Sequence, residues 1–211
     1  MEDSPHAGQL EAAKAKLRSQ LRAARQALGA ERRSDLNAAL LAHLAAFLRG
    51  FDRPPQTVAA YVPVGAEPGG RLLIEVLQGE AERILLPVSR PDGTLLWGEF
   101  SGPTSLVPAV FGTLEPPVPH WGTEVLDQCA ALIVPAAGIS SSGVRIGHGG
   151  GYYDRTLAAV RASARHRGVS APVTVGLVYA SEFGVAVPAA PHDARVDVVV
   201  TERGACDLRA G

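Results

Sequence analysis

Arg145, Gly147, Gly149, Gly150, Gly151 and Asp154 share a single ten-residue window, inside the run VRIGHGGGYYDR (144–155). Glycine has no Cβ and takes φ > 0 without penalty, so a loop this rich in it curls and aims several backbone N–H groups at one point. A helix starting behind the loop adds unpaired N–H donors and a partial positive charge. Arg145 brings a full positive charge, and Asp154 a hard oxygen of the kind Mg²⁺ prefers. Together these are parts for holding phosphate. The plain alternative is a tight turn with no ligand. Neither nucleotide fingerprint is complete: G-x-x-x-x-G-K-[ST] is absent, and in G-x-G-x-x-G the last glycine is replaced by Tyr152. On residue chemistry alone an anion site stands a little ahead of a mere turn.

The elements that must position this loop follow from periodicity. Leu132 to Val134 belongs to a buried strand, 131–135, that feeds the loop, and Gly151 to Arg165 reads as the helix behind it. Residues 9–28 are helical, with Leu10, Leu17, Leu21, Ala24 and Leu28 at three- and four-residue steps. Lys14, Arg18, Arg22 and Arg25 form a second stripe, which is either a solvated face or a cationic wall for phosphates. A second helix runs from about Glu31 to Arg49 and stops at Arg53-Pro54-Pro55. Thr57 to Val62 reads as the first strand. Glu67 lies just beyond it, where ligands gather in open α/β sheets, although a surface-loop glutamate is an even alternative. A short helix (71–78), strands 83–88 and 94–100 around Pro91-Asp92-Gly93, and strands 174–178 and 196–200 complete the list. Residues 101–124 lack periodicity and read as a long loop. Trp97 reads as packing. Asp197 sits inside an apolar strand and reads as structural, and Asp193 precedes that strand.

The alternation of strands and helices predicts a single α/β domain over 9–203, with a mostly parallel central sheet flanked by helices and an N-terminal helical hairpin. Segments 1–8 and 204–211 are expected to be loose. The 211-residue chain is 46% hydrophobic, enough for one sizeable core. A net charge of −1 and 5% aromatic content argue against nucleic-acid binding. The two cysteines, Cys129 and Cys206, and six scattered histidines suggest neither a disulfide framework nor a zinc site. The polar N-terminus has no apolar region of a signal peptide, and no apolar run is long enough to span a bilayer, so a cytoplasmic protein is expected. GISSSG (138–143) fails the G-x-S-x-G pattern at Ser142, which disfavours a serine hydrolase.

Val134-Pro135, Gly143, Arg145, Ile146, Gly147, Gly149, Gly151, Tyr152, Tyr153, Asp154 and Arg155 together form a pattern that resembles the signature of the 5-formyltetrahydrofolate cyclo-ligase family, also called 5,10-methenyltetrahydrofolate synthetase. The resemblance covers about Lys14 to Thr201. It implies ATP contacts from Lys14 and Arg18 in K-A-K-L-R, and from Arg145, Ile146, Gly147, His148, Gly149, Gly150, Gly151, Tyr152 and Tyr153. It implies reduced-folate contacts from Val62, Glu67, Glu115 and the stretch His148, Gly149, Gly150, Gly151 and Tyr152. Arg145, Tyr152 and Asp154 are the implied catalytic residues, and Asp154 and Asp193 the implied Mg²⁺ ligands. A carboxylate at Glu67 suits the N–H edge of a pterin.

The implied reaction starts with attack of the N5-formyl oxygen on the γ-phosphoryl of ATP, giving an iminium phosphate and ADP. N10 then adds to the activated carbon, phosphate leaves, and the 5,10-methenyl ring closes. The sequence departs from the family at Ile139-Ser140, where Phe-Asp is frequent, and at Gly70, where the Glu67 motif has Thr. The implied partners are small molecules only, with no nucleic acid or membrane, and a monomer is expected. The rival reading is a catalytically silent nucleotide- or phosphate-binding protein on the same fold. An ATP-independent isomerase or acyl-CoA-transfer enzyme is the more distant alternative.

Overall fold

Two helices open the chain, α1 (Pro5–Ala27) and α2 (Ala30–Arg49), joined across Leu28 and Gly29. The computed structural model describes residues 5–52, 54–109, 112–190 and 193–209. Arg53 of the expected helix stop, Phe111 of the long loop and His192 lie outside the described residues. Strand β1 (Thr57–Ala59) is followed by α3 (Leu73–Glu80), β2 (Arg83–Ser89) and β3 (Leu95–Glu99). Three short strands, β4 (Val107–Pro108), β5 (Leu114–Glu115) and β6 (His120–Trp121), lie in the stretch expected to be a loop. Then come β7 (Ala131–Pro135), the small ribbon β8 (Gly138–Ile139) and β9 (Arg145–Ile146), α4 (Tyr152–Arg167), β10 (Val173–Leu177), β11 (Val198–Thr201) and β12 (Gly204–Asp207).

The main sheet has the order β12-β11-β10-β7-β1-β2-β3-β6. Its middle, from β11 to β2, is parallel, while β12, β3 and β6 are added antiparallel at the two sides. Side chains alternate across a strand, and the core divides accordingly. Ile133 of β7 joins the layer under α2 and α3, with Leu40, Leu44 and Leu77. Leu132 and Val134 join the opposite layer under α4, with Leu157 and Val160. The expected α/β class with a parallel core is therefore the observed one.

Within the C-terminal segment expected to be loose, Gly204–Asp207 instead form β12, which pairs with β11 from Val198↔Asp207 to Thr201↔Gly204. Its backbone groups complete the ladder of an edge strand whose side chains are largely exposed. At the other end α1 begins at Pro5, inside the stretch expected to precede it.

The two cysteines differ in chemistry. Burial pushes the Cys129 thiol up to about 12, while Cys206 lies exposed on β12. Iodoacetamide at neutral pH should therefore modify one cysteine per native chain and two after denaturation, read by mass spectrometry. Equal labelling of both in the native chain would contradict this placement of Cys129.

Candidate active site

β1 and β7 are neighbours, and β1 crosses over to β2 on one side while β7 crosses over to β10 on the other, so the strand order reverses between them. In open α/β sheets ligands bind beyond the carboxyl ends of strands at such a switch point. A cleft of about 990 Å³ lies there. Val62 and Glu67 reach it from beyond β1, and Pro135 from the end of β7. Lys14 and Arg18 line it from α1, and Asp193 from the segment before β11. Every residue from Arg145 to Asp154 lines it as well, so the glycine-rich run opens on the cleft rather than into the core.

Arg145 sits on β9 and is only 4% exposed. Its Nη2 donates to Asp154 Oδ1 at 2.8 Å, while Nη1 reaches the Pro135 carbonyl at 3.5 Å. Burial pulls the guanidinium down from its usual range, and Asp154 and Tyr153 oppose that pull. An arginine stays charged even so, which makes the Asp154 carboxylate its obligatory counter-charge. Gly147 is explained by this guanidinium: a Cβ there would come within 2.7 Å of Arg145 Nη1. Gly151, at φ 68°, takes the left-handed turn that starts α4, and no side chain caps that helix. The first N–H groups of α4 are thus left for a ligand. Arg155 holds the loop from behind, donating to Gly150 O at 2.7 Å and to Gly93 O at 3.0 Å in the β2–β3 turn. Ser140, in the place of the family's frequent Asp, accepts the Val144 N–H at 3.0 Å and closes the β8–β9 turn.

The basic stripe of α1 is a wall of this cleft. Lys14 Nζ donates to both oxygens of Asp193 at 2.7 Å, and both side chains are nearly buried. Arg18 lies 3.6 Å from Glu11. Arg25 makes the deepest contact: Nε and Nη2 donate to the two Glu182 oxygens at 2.7 Å, and Nη2 also reaches Ala136 O. Each side chain of that pair is 4% exposed. Asp154 Oδ1 also lies 3.4 Å from the Ala194 N–H, which places its carboxylate beside the Asp193 segment.

On the far side of the cleft Glu67 receives the Val64 N–H at 2.8 Å on one oxygen and meets His148 Nε2 at 2.9 Å with the other. That contact joins the β1 loop to the glycine loop. Burial raises the Tyr153 hydroxyl well above its usual range, with Glu67 adding to the effect. That hydroxyl has no hydrogen-bond partner among the described residues. The Tyr152 hydroxyl donates to Arg90 O at 3.1 Å.

Of the residues singled out in the sequence, Lys14, Arg18, Val62, Glu67, Asp193 and the run from Arg145 to Asp154 come together here. Glu115 does not join them: its carboxylate accepts the Ser89 N–H at 2.8 Å and ties β5 to β2. Asp197 accepts the Thr174 N–H at 2.7 Å, a structural bond between β10 and the start of β11. Sequence reasoning passed over Glu182, which carries no motif, and Arg25 was visible only as one member of the basic stripe.

Known proteins with similar sequence or shape point one way. A 5-formyltetrahydrofolate cyclo-ligase of Mycolicibacterium smegmatis is 38% identical over 172 residues, covering 79% of this chain and 84% of that one. The solved structure of Aquifex aeolicus 5,10-methenyltetrahydrofolate synthetase superposes with a TM-score of 0.72 at 26% identity, covering 94% of each chain. A 5,10-methenyltetrahydrofolate synthetase from Mycoplasma pneumoniae shares the fold, with a TM-score of 0.67 at 23% identity, covering 90% of this chain and 98% of that one. The family model for 5-formyltetrahydrofolate cyclo-ligases matches residues 10–202, and the chain belongs to that family.

Proposed function

We propose that this enzyme converts 5-formyltetrahydrofolate and ATP into 5,10-methenyltetrahydrofolate, ADP and phosphate, with the cleft between α1 and the glycine loop as its active site. The observation that carries the reading is the uncapped N-terminus of α4 facing the same cleft as Lys14, Arg18 and Glu67. Phosphoryl transfer needs little covalent help from a protein; it needs positioning and electrostatic stabilisation. Backbone N–H groups from Gly147 to Gly151 cradle phosphate. Arg145, Lys14 and Arg18 offset the charge that builds on the transferred group. Glu67 orients the pterin, and Val62 and Tyr152 wall it. The formyl oxygen attacks the γ-phosphoryl in line, ADP leaves, and N10 closes the ring as phosphate departs.

Asp154 and Asp193 fit a Mg²⁺ ion shared with the nucleotide. They are hard carboxylate donors from adjoining segments, and Mg²⁺ is commonly held by one or two carboxylates plus substrate phosphates. When bound, the ion neutralises phosphate charge. With the ion in place, Asp154 and Asp193 would supply its carboxylate ligands, while Lys14 and Arg145, paired with these carboxylates, would stand beside the phosphate and offset its charge.

No helix among the described residues is long and apolar enough to cross a membrane. Action in the cytoplasm, as a monomer and without nucleic acid, belongs to the same proposal. The silent-binder alternative has no observation in its favour. The test is direct: protein, 5-formyltetrahydrofolate, Mg²⁺ and ATP should generate the ultraviolet absorbance of the methenyl product, and omitting ATP should abolish it. ATP binding without product would overturn the catalytic reading.

A further inference from the structure

The peptide unit between Gly150 and Gly151 belongs to the loop proposed above to cradle phosphate, and neither flanking residue has a Cβ to restrain it. Turning such a unit over changes only the torsions on its two sides, which glycines tolerate. A flip would exchange the N–H for the carbonyl and set a negative dipole against the phosphate. Its orientation is therefore decided by what the Gly150 carbonyl touches.

That carbonyl touches Arg155, whose Nη2 donates to it at 2.7 Å while Nε donates to Gly93 O at 3.0 Å. The C=O and N–H of a trans peptide point in opposite directions, so a carbonyl held toward the guanidinium turns the Gly151 N–H away from it. Among the described residues, none accepts that N–H or those of Gly149 and Gly150. Gly151 makes room for the guanidinium: a Cβ there would lie 2.7 Å from Arg155 Nη1. The Tyr152 ring packs on Gly150, 2.8 Å from where its Cβ would stand.

The far end of this clamp is built in the same way. In the β2–β3 turn, Asp92 Oδ1 accepts the Thr94 N–H at 2.9 Å and the Thr94 hydroxyl at 2.6 Å. Holding that N–H points the carbonyl of the same peptide, Gly93 O, the opposite way, and Arg155 takes it. Gly93, at φ 82°, also makes room, since a Cβ there would collide with Arg155 Nη2. A cation in the first turn of α4 opposes the helix dipole, and the two carbonyls offset that cost. Arg90, Pro91 and Asp92 are exposed, so the clamp links a solvent-facing turn to the glycine loop. We infer that Arg155 is a positioning residue for the nucleotide: it borrows the geometry of this turn to keep the Gly151 N–H aimed at phosphate, without touching the reacting atoms.

This inference rests on the reading that phosphate binds at the glycine loop, and its test separates that role from the reaction. Wild type, Arg155→Ala, Arg155→Lys, Gly93→Ala and the Arg155→Ala/Gly93→Ala double variant are compared. The readouts are the KM for ATP in turnover, calorimetric affinities for ADP with Mg²⁺ and for 5-formyltetrahydrofolate alone, and the melting temperature. Arg155→Ala should raise the ATP KM and weaken ADP by about tenfold, the order expected for one charge-assisted hydrogen bond. Folate affinity should change by less than about twofold, and the melting temperature of this exposed-site variant by no more than about 3 °C. Arg155→Lys should recover part of the loss, because an ammonium reaches one carbonyl without the fork that spans two. Gly93→Ala displaces the guanidinium from outside the loop and should shift ATP and ADP in the same direction. The double variant should be no worse than Arg155→Ala alone, since both changes cut one connection. Additive losses in the double variant would show Arg155 acting on the ligand by itself and overturn the assignment. Unchanged ATP and ADP binding in Arg155→Ala, or an equal fall in folate affinity and melting temperature, would also overturn it. If the wild type forms no methenyl product while ADP affinities follow the expected ranking, the reaction falls and the positioning role stands.

Discussion

Asp154→Asn is expected to lower kcat by roughly a hundredfold or more, the scale seen when a preorganised charge at a reacting centre is removed, while changing folate affinity by less than about threefold. Two losses coincide in this substitution. The hard anionic oxygen proposed for Mg²⁺ becomes a neutral amide, which is a poorer donor to that ion. The Arg145 guanidinium, only 4% exposed, also loses the carboxylate that balances it. Breaking one side of a buried ion pair leaves an uncompensated charge and costs stability as well as function. Steady-state kinetics, calorimetric folate binding and a thermal melt, all on one preparation, separate the contributions. If kcat and folate affinity fall by equal factors, Asp154 holds the shape of the pocket and has no part in the chemistry.

The second large effect lies away from the phosphates. Glu182→Ala should weaken the docking of α1 by about 3 kcal/mol or more, because Arg25 would remain buried with no counter-charge. Removing the carboxylate also strips the Tyr179 N–H of its acceptor, now at 2.9 Å. Amide hydrogen exchange along α1 should then quicken by roughly a hundredfold, and the KM for ATP should rise, since Lys14 and Arg18 ride on the same helix. Replacing the pair with apolar residues of similar volume, Arg25→Met with Glu182→Leu, should recover most of the protection, as buried ion pairs are often replaceable in this way. Unchanged exchange in Glu182→Ala would show that α1 is held by something else.

How far these features could be read in advance depends on their range along the chain. β7, α4 and the β2–β3 hairpin were legible because each has a local signal: a run of apolar residues, a glycine before a periodic stretch, a Pro-Asp-Gly turn. The glycine loop was legible because its chemistry is concentrated in consecutive residues. β4, β5 and β6 were not, since two-residue strands in a Pro-rich segment have no period to detect. β12 escaped for a related reason: Gly204–Asp207 is short and mostly exposed, and only pairing with β11 makes it a strand. The Arg25–Glu182 pair joins positions 157 residues apart, and no local pattern at Glu182 marks it. Glu115 illustrates the converse: its neighbourhood resembled a folate loop, yet the Ser89 N–H claims its carboxylate.

Among the described residues, neither apolar cluster contains one from α1, although that helix brings Lys14 and Arg18 to the cleft. On the proposed reading, two of the side chains that grip the nucleotide are thus carried by a segment held to the body by the Lys14–Asp193 and Arg25–Glu182 pairs, with Leu21 packed against Gly138. Conditions that loosen those pairs, such as concentrated salt or mild denaturant, would switch the catalyst off while its sheet stays intact, so the temperature at which turnover fails will lie below the temperature at which the body melts.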